Sequence, residues 1–135
     1  MSKISFLVIA GDSGGHILPA IKYINELSKI REPEKILFIT NEIGSKFKDR
    51  IENKKVKICI FKSKNRILYI LKILKFLSPI FIKNNKIKSI GFGGFITLPV
   101  LYLSKFFNII FLKSNEIFVH EQNYILGLAN KINSK

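Results

Sequence analysis

Apolar residues in this chain come in short blocks, separated by polar or glycine-rich breaks. "KISFLVIA" (3–10) is a run of branched apolar residues closed by glycine, the pattern of a strand buried on both faces. Pro19 then opens a helix, "PAIKYINELSKI", in which Ile21, Ile24, Leu27 and Ser28 recur at three- and four-residue spacing. "KILFIT" (35–40) and "VKICIF" (56–61) repeat the strand pattern, with a short polar helix around 43–52 between them. The helix "NRILYILKILKFL" leads to a fourth strand, "KIKSIGF", which runs into the glycine turn "GFGGF". A helix from Thr97 to about Phe111 and a fifth strand, "EIFVHEQN", follow, and a last helix is expected near "ILGLANKI".

Strand and helix alternate throughout, so the expected fold class is α/β, a mainly parallel Rossmann-like sheet with flanking helices. In such sheets ligands meet the loops at the carboxyl ends of the strands. Three loops fall there: "GDSGGH", "GFGGF" and "HEQN". No repeat or linker divides the 135 residues, so one domain, 1–135, is expected.

Composition narrows the class. With 47% hydrophobic residues the chain is not a disordered one. The lone Cys59 excludes a disulfide framework, and "KISFLVIAG" lacks the form of a signal peptide. The net charge is +14, and no acidic residue occurs between Glu52 and Glu116, a stretch that carries thirteen lysines and arginines. A field of one sign points to a polyanion, either an anionic membrane or a nucleic acid. No nucleic-acid motif accompanies the lysines, so nucleic acid is not expected as a partner.

The loop "GDSGGH" has glycines that let a ligand approach the backbone, followed by a helix N-terminus, near Ile17, suited to phosphate. It matches neither the dinucleotide fingerprint nor the P-loop, and a tight turn with packing glycines is the plain alternative. His16, at the end of that loop, has the chemistry of a general base or of a hydrogen-bond donor to a phosphate; a helix-start histidine that caps its own turn is the plain alternative. "HEQN" gathers four polar side chains at a strand end, as an exposed loop over a site would.

The segment 62–88 is both basic and apolar, and its lysines keep any run below the ~20 apolar residues of a membrane span. As a helix it places Ile67, Leu71, Leu74, Leu77 and Phe81 on one side and Lys72 and Lys75 on another, with further apolar residues beyond one core face. That pattern fits a helix lying in a membrane interface; a helix buried on a wide face is the alternative.

Taken together, "GDSGGH…PA", "GFGGF" and "HEQN…GLANK" resemble, in order and spacing, the motifs of the bacterial MurG family. Those are the N-acetylglucosaminyltransferases that convert lipid I into lipid II in peptidoglycan synthesis. The resemblance covers the chain but only the N-terminal, acceptor-binding half of the two-domain GT-B architecture, so the C-terminal donor domain is expected to be absent. It implies UDP-GlcNAc and lipid I as substrates, no cofactor and no metal. It also implies a peripheral position on the cytoplasmic face of the inner (plasma) membrane. By the same resemblance His16 is the catalytic candidate, and Ser13, Gly14, Gly15, Gly93, Gly94 and Phe95 line the acceptor cleft. Glu121, Gln122, Asn123 and Asn130 form its third wall. Ile67, Leu71, Lys72, Leu74, Lys75 and Phe81 correspond to the membrane-docking patch. Three departures stand out: Asp12 in place of a glycine, where its charge is expected to repel a phosphate; Phe95 in place of a tyrosine; and a longer "FFNIIFLKSNE" connection. A separate donor-domain chain in a split enzyme, or a non-catalytic module binding polyprenyl diphosphate or anionic membrane, remain the other possibilities at this stage.

Overall fold

The computed structural model of the chain describes residues 3–62 and 64–120. It holds a five-stranded, all-parallel sheet in the order β3-β2-β1-β4-β5. The strands are β1 (Phe6–Ala10), β2 (Ile36–Thr40), β3 (Lys57–Ile60), β4 (Lys88–Gly93) and β5 (Glu116–Val119). Four helices join them: α1 (Gly14–Leu27), the short α2 (Glu42–Ser45), α3 (Arg66–Lys83) and α4 (Thr97–Phe111).

Every residue of β1 and β2 is buried, as continuous apolar runs in a parallel sheet require. Their side chains divide by parity. Leu7, Ile9, Leu37 and Ile39 pack with Ile73, Leu77 and Phe81 of α3 and Val100, Leu101 and Phe107 of α4. Phe6, Val8, Ile36 and Phe38 face the other way, against Ile17, Ile21 and Ile24 of α1. Each such buried side chain contributes roughly 1.5–3 kcal/mol of hydrophobic free energy. The sheet is therefore covered on both faces, with α3 and α4 together on one of them.

Strand order reverses between β1 and β4. Successive connections lead outward from β1 to β2 and β3 on one side, and to β4 and β5 on the other. Helices that follow parallel strands begin at the carboxyl edge, so the β1–α1 and β4–α4 loops lie side by side at this reversal. That is the crevice where open α/β sheets bind ligands.

Two elements differ from the sequence expectation. Helix α1 starts at Gly14, with Ser13 as its N-cap, and Pro19 lies inside it. Pro19 only removes a bond to the carbonyl of Gly15, one turn from the end, so the apolar face at Ile17, Ile21 and Ile24 carries the helix across it. Helix α3 likewise continues through Pro79 to Lys83, held by Ile80 and Phe81 in the core. The helix from Thr97 to Phe111 has the expected limits. The helix expected near "ILGLANKI" lies outside the described residues.

Candidate functional site

The β1–α1 and β4–α4 loops are hydrogen-bonded to each other. Gly11 N–H donates to the Gly93 carbonyl at 3.0 Å, continuing the β1–β4 ladder past a register shift at Ala10. Gly93 (φ +137°) and Gly94 (φ +95°) then take backbone conformations that side chains rarely adopt. The space around them is filled as well. A Cβ on Gly93 would overlap the His16 imidazole, and one on Gly94 would meet the Gly11 carbonyl oxygen at 2.6 Å. Thr97 closes the turn by donating its hydroxyl to the Gly93 carbonyl at 2.9 Å. Ser13–His16 and Gly93–Phe95 thus form one surface.

The N-terminus of α1 on that surface carries no side-chain cap: Ser13 is extended and its hydroxyl bonds no helix amide. The amides of Gly14 and Gly15 have no helical carbonyl upstream, and they sit where the positive end of the helix dipole favours an anion. His16 is half-buried. Its Nδ1 is sealed against the β4 turn and has no hydrogen-bond partner among the described residues. No carboxylate therefore fixes its tautomer from behind, and packing against Gly93 sets the ring position.

Asp12 is organised differently from the sequence expectation. It has φ 72°, the left-handed region in which aspartate is among the better tolerated side chains. Its carboxylate accepts the Phe95 N–H at 2.8 Å on one oxygen and the Asn41 side-chain amide at 2.7 Å on the other. The charge is turned toward donors of two neighbouring loops, so it latches the β1–α1, β2–α2 and β4–α4 loops together. The same Asn41 caps α2 by accepting from Gly44 N–H. We expect Asp12→Ala to raise the exchange rate of the Phe95 amide at least ~10-fold, about 1.4 kcal/mol of local opening, because a charge-assisted bond to a backbone N–H contributes about that much. Unchanged protection in hydrogen-exchange NMR would show that Asp12 is not the latch.

Beside the latch opens a cavity of about 570 Å³ that the sequence did not reveal. Lys62, Lys64 and Arg66 line it, with Asn41 and Glu42 among its other residues. The rule that located the glycine loops also applies here, since Asn41 and Phe61, both lining the cavity, immediately follow the ends of β2 and β3. The Arg66 guanidinium lies 4.9 Å from the centre of the Phe95 ring. Tyr69, next to Phe95, has its phenol pushed up to about 12, by burial first and by the Asp12 charge second, so it remains a hydroxyl donor at neutral pH.

His120 follows β5 directly, its amide bonded to the Gly91 carbonyl and its ring 4.7 Å from Phe92. Glu121, Gln122, Asn123 and Asn130 lie outside the described residues.

The segment expected to dock on a membrane divides. Ile67, Leu68 and Leu71 are exposed at the start of α3, beside exposed Lys72 and Lys75. Phe81, however, is fully buried and stacks on Phe107 of α4, and Leu74 is half-buried against the core. The apolar residues of α3 extend well beyond one side, so spacing alone does not choose its buried side. Packing against α4 selects Ile73, Leu77, Ile80 and Phe81. Lys72 also has a local role, donating to the Lys62 carbonyl at 2.9 Å. The last turn of α4 and its C-cap leave Ile109, Ile110, Phe111 and Leu112 exposed at the far end of the same layer. No helix among the described residues is long and apolar enough to cross a membrane.

A doubly wound, all-parallel sheet with glycine loops and an uncapped helix N-terminus at its switch point defines a Rossmann-like α/β domain. The chain belongs to glycosyltransferase family 28, whose N-terminal domain it matches over residues 6–135. Among curated relatives, a Bacillus licheniformis protein is 30% identical over 96% of this chain and 36% of its own length. A Bacillus pumilus protein is 28% identical over 93% of this chain and 35% of its own, and one from Listeria welshimeri 29% over 95% and 36%. Each is named a UDP-N-acetylglucosamine–N-acetylmuramyl-(pentapeptide) pyrophosphoryl-undecaprenol N-acetylglucosamine transferase. The chain thus spans about a third of the length of these relatives. No solved structure matches it.

Proposed function

We propose that residues 1–135 are the acceptor-binding half of a lipid I N-acetylglucosaminyltransferase. The observation that carries the reading is the pair of mutually bonded glycine loops at the switch point, beside the uncapped start of α1. In this reading the Gly14 and Gly15 amides and the Gly93–Gly94 turn hold the diphosphate of the polyprenyl-linked acceptor. The acceptor 4-hydroxyl attacks the anomeric carbon of UDP-GlcNAc with inversion. Its proton passes to His16 as the new glycosidic bond forms and the bond to UDP breaks. Glu121, Gln122, Asn123 and Asn130 contribute the wall nearest the donor sugar. A donor-binding half, on the same polypeptide or on a separate chain, supplies the groups that hold UDP, and without it little transfer is expected.

The exposed Ile67, Leu68 and Leu71, ringed by lysines, bring this site to the cytoplasmic face of the plasma membrane as a peripheral contact. Co-sedimentation with anionic vesicles, with and without a lipid I analogue, tests both parts. The analogue is expected to tighten binding. Ile67→Asp with Leu71→Asp is expected to weaken vesicle binding ~10-fold or more, since each exposed apolar side chain contributes on the order of 1 kcal/mol at an interface. Vesicle binding indifferent to the analogue would favour the second reading, a non-catalytic membrane module. The orphaned Nδ1 of His16 is the observation in favour of that reading.

A further inference from the structure

We infer that the cavity beside Asp12 is a subsite for the carboxylate-bearing peptide of the acceptor, adjoining the glycine turns that take its diphosphate. The inference rests on the acceptor-half reading above.

Three cations within five residues line the cavity, Lys62 and Lys64 on the β3–α3 loop and Arg66 at the first position of α3, and none pairs with a carboxylate among the described residues. Grouping unpaired cations raises their mutual repulsion, and an anionic ligand relieves it. The β3–α3 loop is tied down where Lys72 holds the Lys62 carbonyl. The Arg66 fork is preset over the Phe95 ring, which reduces the ordering cost of a bidentate grip on a carboxylate.

Further lining residues distinguish a peptide from a bare phosphate. Phe61, Tyr69 and Phe95 offer aromatic surface suited to aliphatic side chains and peptide planes. The Tyr69 phenol remains protonated, a donor for a peptide carbonyl. Asp12 and Glu42 also line the cavity. Two carboxylates disfavour a compact dianion but accept amide or amine donors. Asp12 and Phe95 belong both to this cavity and to the latch across the glycine loops, so a ligand in the cavity lies next to the diphosphate surface. A peptide attached to an acceptor sugar fits that adjacency.

The test uses two soluble probes with the purified chain: N-acetylmuramyl-pentapeptide, as the free acid and as the C-terminal amide, and inorganic pyrophosphate. Binding is followed by NMR titration for wild type, Arg66→Gln and Arg66→Lys. Arg66 is exposed, so neither change removes core packing. The free acid is expected to bind ~10-fold more tightly than the amide, and Arg66→Gln to abolish that difference, with Arg66→Lys recovering only part of it. Pyrophosphate affinity is expected to stay within about two-fold, as Arg66 lies outside the glycine loops. Equal binding of acid and amide, or no binding of either, overturns the inference. So does a loss of pyrophosphate affinity in Arg66→Gln as large as the loss for the peptide, which makes the cavity a phosphate site. Loss of pyrophosphate binding in wild type, with peptide discrimination retained, tells against the glycine loops and leaves the peptide subsite standing.

Discussion

Gly93→Ala is expected to destabilise the chain by roughly 3 kcal/mol or more. Two costs combine. A backbone at φ +137° is nearly closed to L side chains, at about 1–3 kcal/mol, and the new Cβ overlaps the His16 ring, at about 1–3 kcal/mol more. The second cost belongs to a pair, so it is separable. In a double-mutant cycle by urea denaturation, Gly93→Ala should cost ~1–2 kcal/mol less in a His16→Ala background. A Gly93→Ala variant within ~0.5 kcal/mol of wild type would mean that His16 does not rest on the turn.

His16→Ala and His16→Asn are expected to lower the transfer rate ~10²- to 10⁴-fold when a donor-binding half is present, the range for loss of a general base. Asparagine keeps much of the side-chain volume against Gly93 while removing the basic nitrogen, so packing and proton transfer are distinguished. Affinity for the acceptor analogue should remain within about three-fold in His16→Asn, because the proton moves only in the transition state. A transfer rate within ten-fold of wild type would leave His16 a packing residue and shift the base elsewhere.

Much of this was legible in the residues. The blocks at 36–40, 57–60 and 88–93 are strands as the sequence suggested, the first and last largely buried and β3, at the sheet edge, half-buried along its length. Helix α4 began and ended as its spacing indicated, because Thr97 follows a glycine turn. The start of α1 was misplaced because Pro19 is a strong local signal and Gly14 and Gly15 are weak helix formers. The tertiary contacts of Ile17 outweighed both. That shift matters for the site, since it puts glycine amides, rather than the amide of Ile17, at the phosphate-facing end.

Asp12 was legible as a charge but not as a latch. Its partner Asn41 is 29 residues away and Phe95 is 83 away, and no local pattern connects them. The cavity was hidden for the same reason: Lys62, Lys64 and Arg66 read as one part of a long basic stretch, and only the fold sets them beside Asn41 and Glu42. The buried face of α3 was ambiguous because its apolar residues extend well beyond one side, Ile67, Leu68, Leu71 and Ile82 remaining exposed. Its partner helix decided that Phe81 turns inward while Ile67 and Leu71 remain outside.

The central claim is that the two glycine loops form one cradle for the acceptor diphosphate. The most direct test is an amide-resolved NMR titration of the chain with a short-chain polyprenyl-diphosphate acceptor analogue, beside the matching monophosphate. The diphosphate is expected to shift the Gly14, Gly15 and Gly94 amides together, on one binding curve, and the monophosphate to bind ~10-fold more weakly as half of its anionic contacts are lost. Perturbations confined to α3, with the glycine amides unmoved, would contradict the claim.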